Sequence, residues 1–348
     1  MTDFTTEEHR LFFREFIRWE TAVGGPDPHL ATLGAMIRDQ PWPERVWRCG
    51  CYASGYNVPT AEVIWSAWPW ERMRLEGELL PAWVQENWPG GFGLRRERRA
   101  VRTASKFARC LMEIADWTEI VTTAPPRWWT APRGFDAAWK STGTIYGLGR
   151  YVQLKFVEAL CRYADGAFRE SDIRAKGGRS PREGLALLYP ENADWLLSGR
   201  YTAQTEYLAA SLLNDLGTEG YDVDFFILQV VLCEYKKNFL GRQYPGRTHD
   251  TELRYWKAMG EYWGHESTML QARAEVFNAV SLGEQNGWWG ARKELERTLP
   301  DFRYYWSDLR FSYTDTDDIS HPITWEEAGK PCPTSSIVGA APAALAGP

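Results

Sequence analysis

The sequence predicts a mainly α-helical protein, and two observations carry that prediction. Apolar residues recur at steps of three and four through most of the chain, and few segments alternate with the period of two of a half-buried strand. The elements follow in chain order. Thr5-Thr6-Glu7-Glu8 reads as a capping box opening a helix, with Phe12, Phe13, Phe16 and Ile17 on one face. In Cys51 to Trp65, either Asn57 or Thr60 suits the cap of a helix carrying Glu62 in its first turn. Leu94, Val101, Ala104, Ala108, Leu111 and Ala115 mark another amphipathic helix, and Leu154, Val157, Leu160 and Cys161 mark a third. Residues 203–216, 223–239, 250–264 and 267–281 continue the pattern. Phe225-Phe226-Ile227-Leu228 would also suit a buried strand, but the run continues through Phe239, which favours a buried helix.

Gly and Pro cluster at 24–28, 89–93, 124–134 and 177–181, and none of these breaks is a clear linker. Residues 1–329 therefore read as one helical region, with two packed lobes as the variant. Residues 330–348, rich in Pro, Ala, Ser and Gly and almost free of charge, read as a disordered tail. Nineteen Trp is a large excess. Indoles plug helical cores and also stack on bases, and the core is the commoner use. The six cysteines show no Cys-x-x-Cys spacing and read as reduced thiols in a cytoplasmic protein, while the five scattered His argue against a zinc site. No stretch approaches the ~18 apolar residues of a membrane span and the N-terminus carries no signal segment, so no membrane role is expected. A net charge of −6 argues against a protein that coats nucleic acid, yet allows transient binding through a local basic surface.

Three constellations carry chemistry. Arg95, Arg99, Arg102, Lys106 and Arg109 recur at steps of four, three, four and three, which on a continuous helix puts five cations on one face. Clustering of one sign suggests contact with phosphates; a solvated face paired with acids from elsewhere is the alternative. Next, Thr144 to Tyr151 holds an apolar residue and then Gly147-Leu148-Gly149, opening into Arg150, Tyr151 and a helix, with residues 134–141 as a preceding helix. Two glycines allow a tight turn, and the N–H groups of a helix start can hold a DNA phosphate, as in a helix-hairpin-helix element. A plain helix–helix turn explains the same residues. In glycosylases with this hairpin a catalytic Asp follows further along; here Asp165 comes too early and Asp172 is better placed. Third, Glu234, Lys236 and Lys237 end a buried helix and precede a Gly- and Pro-rich loop with Arg242, Arg247, His249 and Asp250. Cations beside carboxylates suit a phosphorylated leaving group with a base close by. A cationic helix end satisfying its dipole, with Asp250 as a cap, explains the lysines but not the arginines.

These segments together resemble the bacteriophage amino acid:DNA transferases, also described as α-glutamyl/putrescinyl thymine pyrophosphorylases. The resemblance rests on Cys51-Tyr52 with Tyr56 through Glu62, on Pro181 through Leu185 with Leu188-Tyr189-Pro190, on Glu234 through Asp250, and on Asp301 through Arg310. It implies a fold like that of helix-hairpin-helix DNA glycosylases. It also implies that an amine, such as that of free glycine or serine, displaces pyrophosphate from 5-pyrophosphomethyl-uracil in phage DNA, inside the infected bacterial host. A chemical check on the side chains then assigns roles. The amine must shed a proton, so Asp172 is the first choice of base, with Glu234 and Asp250 behind it. Lys236, Lys237, Arg242 and Arg247 would stabilise pyrophosphate, with Mg²⁺ as an optional helper. Arg174 or Arg182 would clamp the amino acid's carboxylate, and Asn57 and Glu62, within the resembling motif, join that set. Gly147, Gly149, Arg150 and Tyr151, with Arg95, Arg99, Arg102 and Lys106, would hold DNA. The Lys that bifunctional glycosylases place at the hairpin is missing, since Arg150 and Tyr151 stand there. A glycosylase is the second reading and a non-enzymatic DNA-binding protein the third.

Overall fold

The computed structural model describes residues 5–22, 25–239, 247–264 and 268–276, and the regular structure among them is entirely helical. Helix α1 (Thr6–Ala22) opens on the expected capping box: the Thr5 N–H donates to Glu8 Oε2 at 2.6 Å, and the Glu8 N–H donates to Thr5 Oγ1 at 3.3 Å. Helices α2 (Pro28–Ile37), α3 (Trp42–Gly55) and α4 (Val58–Ala67) follow. Tyr56 ends α3 in a left-handed conformation, and Asn57 caps α4, its Oδ1 accepting the Thr60 N–H at 2.8 Å. Asn57 is therefore the cap and Thr60 the residue it caps. Helices α5 (Trp70–Glu76), α6 (Leu80–Glu86), α7 (Ala104–Thr123), α8 (Phe135–Thr142) and α9 (Arg150–Tyr163) continue the chain. The second half holds α10 (Arg179–Leu188), α11 (Ala193–Ser198), α12 (Thr202–Thr218), α13 (Phe225–Phe239), α14 (Arg247–Trp263) and α15 (Met269–Val276). The Phe225–Leu228 run is thus helical. Residues 277–281, Asp301–Arg310 and the tail 330–348 lie outside the described residues.

Two hydrophobic clusters organise these helices. In the first, α3 packs against α4, α7 and α9 around Trp47, Tyr52, Phe107, Phe156 and Trp68. In the second, α10 packs against α13, α11 and α1 around Phe13, Leu185, Leu196 and Leu232. Trp47, Trp65, Trp68, Trp70, Trp117 and Trp129 are all buried in the first cluster, so many indoles serve as core. A large side chain buried this way contributes about 3 kcal/mol. The Trp47 indole N–H also finds an acceptor in the Trp68 carbonyl at 2.7 Å, which removes the penalty of burying it. No helix of the described residues is long and apolar enough to cross a membrane.

The basic stripe requires a correction. Residues 96–101 form a 3-10 segment with Arg98 in a non-helical conformation, and Thr103, extended, caps α7 by accepting the Lys106 N–H. Helical spacing is broken there, so Arg95 and Lys106 do not share one helix face. Arg99, Arg102, Lys106 and Arg109 are exposed, whereas Arg95 turns inward. Arg98 is fully buried and donates to the Ser54 and Gly147 carbonyls at 2.6 and 2.7 Å.

Candidate functional site

Helices α8 and α9 are joined by the turn 143–149. Gly147 has φ +77°, and a Cβ there would lie 2.5 Å from Val101 Cγ1, so both conformation and space require glycine. Gly149 is different: its φ is −63° and nothing crowds it, so only one of the two glycines is needed for the turn. Arg109 stacks over the Tyr146 ring at 4.0 Å, and Glu113 accepts the Tyr146 N–H at 2.6 Å, which ties this turn to the exposed cations of α7.

Arg150 and Tyr151, immediately beyond the turn, line a cavity of about 270 Å³. Tyr56, Arg95 and Asp27 face it from elements of the first cluster; Gly178, Arg179 and Ser180 of α10 and Gln229, Cys233, Glu234 and Lys237 of α13 face it from the second. Gln229, Cys233 and Lys237 recur at steps of four along one helix face, and Glu234 stands beside Cys233. No side chain caps α9 or α10, whose first turns therefore offer N–H groups at the cavity. Arg150 lies against Gly178: a Cβ there would meet both terminal guanidinium nitrogens at 3.1 Å, and Nη2 has no hydrogen-bond partner. Arg95 sits 5.0 Å over the Tyr56 ring, with Nη1 3.9 Å from Glu252.

The acidic groups are held as firmly. Glu234 is 7% exposed; Oε1 accepts from Lys237 Nζ at 3.1 Å, and Oε2 is buried with no hydrogen-bond partner. Asp27 is bonded by Lys155, which is fully buried and donates also to Glu158 Oε2 at 2.7 Å. Arg162 bonds Glu158 Oε1 at 3.0 Å and extends this charge chain to Asp224. The phenols of Tyr56 and Tyr151 share a hydrogen bond of 2.8 Å, and burial pushes both well above the usual phenol range. Burial likewise raises the Cys233 thiol, which keeps it from serving as a thiolate.

Several expected site residues stand elsewhere. Asp172 does not line the cavity; it accepts the Arg174 N–H at 2.8 Å in its own turn. Arg174 pairs with Asp136 at 2.5 Å and lies over Phe135 and Trp139. Arg182 is buried and donates to the Gly178, Leu196 and Leu197 carbonyls, fixing α10 to the end of α11. The Asn57 amide is consumed by its cap and by the Gly55 and Gly93 carbonyls, and Glu62 Oε1 accepts the Thr268 N–H and hydroxyl. Lys236 bonds Ser180 and Glu183 and pins α13 to α10. Apart from Asp172, each is engaged in holding elements of the fold together. Arg247 and Asp250 begin α14 with side chains outside the described residues, and Arg242 lies outside them altogether. Of the expected set, Glu234, Lys237, Arg95, Arg150 and Tyr151 meet at one cavity. Tyr56, Asp27, Lys155 and Gln229 were missed, because no local spacing joins them. The described residues contain no cluster of three or more His, Cys, Asp and Glu that could hold a metal ion.

The described residues form an entirely helical fold with one cavity lined by both cations and carboxylates. The family model for amino acid:DNA transferases matches residues 56–244, more than half of the chain, and the protein belongs to that family. Its substrates are accordingly an amino acid and DNA. The matched segment contains every cavity side chain from Tyr56 to Lys237, while Asp27 precedes it. Comparisons with curated proteins and with solved structures returned no match.

Proposed function

We propose that the cavity joins the amine of a free amino acid to 5-pyrophosphomethyl-uracil in phage DNA, with pyrophosphate as the leaving group, in the host cytoplasm. The carrying observation is that two uncapped helix starts, the cations Arg95, Arg150 and Lys237, and the part-satisfied carboxylate of Glu234 converge on one cavity. The nitrogen lone pair forms the new C–N bond at the exocyclic methylene as the C–O bond to pyrophosphate breaks. The electron pair of that bond leaves with pyrophosphate, and the proton shed by nitrogen passes to Glu234. Positive groups fixed in a water-poor site stabilise such a departing anion, and one well-placed donor contributes about 3 kcal/mol. Glu234 takes the base role in place of Asp172, since geometry within reach of the reacting atoms comes first.

The turn at Gly147 leads into the cavity wall and touches Arg98 and Val101, the chain neighbours of the exposed Arg99 and Arg102. These cations suit the DNA backbone, and a base turned out of the stack, at a cost of a few kcal/mol, would enter beside Tyr56 and Tyr151. The test is to incubate the protein with duplex containing 5-pyrophosphomethyl-uracil and a mixture of amino acids, then digest to nucleosides for mass spectrometry. A nucleoside heavier by one amino acid, with matching pyrophosphate release, is expected. Abasic sites would replace this reading by a glycosylase, and unchanged nucleosides would overturn it.

A further inference from the structure

Among the α13 side chains that line the cavity, Gln229 is a polar group with no role in the chemistry above. Gln229 is 2% exposed, and its Oε1 is buried without a hydrogen-bond partner. Five residues further along α13, Glu234 Oε2, which lines the same cavity, is in the same condition. Two unmet acceptors on one wall of one cavity are costly to keep unless a donor fills them. The surroundings specify the sign of that donor. Glu20 is buried behind this wall, and its carboxyl is raised well above the usual range by burial and by the nearby carboxylates of Glu234 and Asp27. Arg150 has different electrostatic neighbours, namely Cys233, Glu206, Arg174 and Asp172. Lys155 already pairs with Asp27 and Lys237 with Glu234 Oε1, so the carboxylate oxygen left without a donor at this wall is Glu234 Oε2.

We infer that Gln229 and Glu234 form the subsite for the primary ammonium or amine of the transferred amino acid. A primary ammonium offers three N–H donors and no acceptor, which matches two buried acceptors, one of them a carboxylate oxygen. An anion would meet the Glu234 carboxylate and gain nothing from Gln229 Oε1. Bound here, the amine is adjacent to the base that takes its proton, so Gln229 orients the nucleophile while Glu234 deprotonates it. The inference deepens the reading of this cavity as a transferase site and rests on it.

Two variants and one binding measurement test it. Gln229→Met keeps the volume and removes the acceptor, whereas Gln229→Glu keeps an acceptor. In the transfer assay, Gln229→Met is expected to raise KM for the amino acid about tenfold, equivalent to about 1.4 kcal/mol, with KM for DNA unchanged. Gln229→Glu is expected to retain most of the affinity for the amine. An unchanged amino-acid KM in Gln229→Met, with product still formed, would overturn the subsite and leave the reaction standing. Separately, saturation-transfer NMR on the full chain without DNA would use glycine and methylammonium as probes and acetate as control. Signals from both amines that vanish in Gln229→Met, without turnover of pyrophosphomethyl DNA, would support the subsite and remove the proposed leaving group. Amine signals that are missing in the native chain, or that persist unchanged in Gln229→Met, would overturn the subsite.

Discussion

Glu234 and Lys155 are buried charges with opposite degrees of satisfaction, and their substitutions should behave differently. Glu234 keeps one oxygen unpaired at the cavity, so Glu234→Gln preserves shape and removes the proton acceptor. A positioned base contributes 10²- to 10⁴-fold, so kcat should fall by about 100-fold or more with little change in melting temperature. Asp172→Asn should leave kcat near the native value, since Asp172 is engaged in its own turn. Equal losses in the two variants would return the base role to Asp172. Lys155 has no exposure and serves both Asp27 and Glu158. Lys155→Ala leaves two buried carboxylates without their shared cation, and breaking such an arrangement costs ~3–5 kcal/mol. The loss should appear as a lower urea midpoint, and a midpoint within error of the native value would show that this charge chain is not structural.

At the level of elements, the turn between α8 and α9 separates two glycines that look alike in the sequence. Gly147→Ala forces a left-handed residue to carry a Cβ and drives it into Val101, so a loss of ~1–3 kcal/mol and weaker DNA binding are expected. Gly149→Ala enters open space at an ordinary φ and should cost under about 1 kcal/mol. Thermal melts and fluorescence polarisation on labelled duplex would check both, and equal effects would mean that the turn moves freely. The contrast shows what the sequence exposes. Helix positions are legible because the three-and-four spacing of Phe12, Phe13 and Phe16, or of Leu154 and Val157, reports directly on a buried face. The capping box at Thr5 and Glu8 is legible for the same local reason. The candidate site is only partly legible: α13 displays Glu234 and Lys237 a few residues apart, but Asp27, Tyr56 and Arg95, distant in the chain, join them only at the cavity. The stripe misled because five cations at helical spacing say nothing about Thr103, which starts a new helix among them. Arg174 and Arg182 misled because an arginine that binds carbonyls or stacks on rings has the same letters as one that binds substrate.

For the whole molecule, a net charge of −6 combined with buried carboxyls predicts how stability changes with pH. Burial, assisted by Asp224, raises the Glu170 carboxyl to about 7, and burial raises Glu252 to about 7 despite the opposing Arg95. The ordinary value of each is 4.5, so the folded chain holds these protons more tightly than the unfolded chain. Their contribution is fully present below pH 4.5 and is lost as pH rises through about 7. Burial also raises Glu20 and Glu206, which adds in the same direction. His29 acts oppositely: burial lowers it from 6.5, so the unfolded chain binds its proton first and stability is lost as pH falls below 6.5. Above pH 6.5 the unfolded-state histidine is losing its proton, and the several raised carboxyls outweigh it and set the sign of the slope. The melting temperature should therefore decline between pH 6.5 and about 8. Glu170 also accepts the Phe226 N–H at 3.2 Å, a bond that a glutamine can keep. Glu170→Gln should accordingly flatten the decline and raise the melting temperature at pH 6.5 above the native one, since the native carboxyl has lost most of its contribution by that pH. A decline of undiminished steepness in that variant would mean that Glu170 ionises as freely in the folded chain as in the unfolded one.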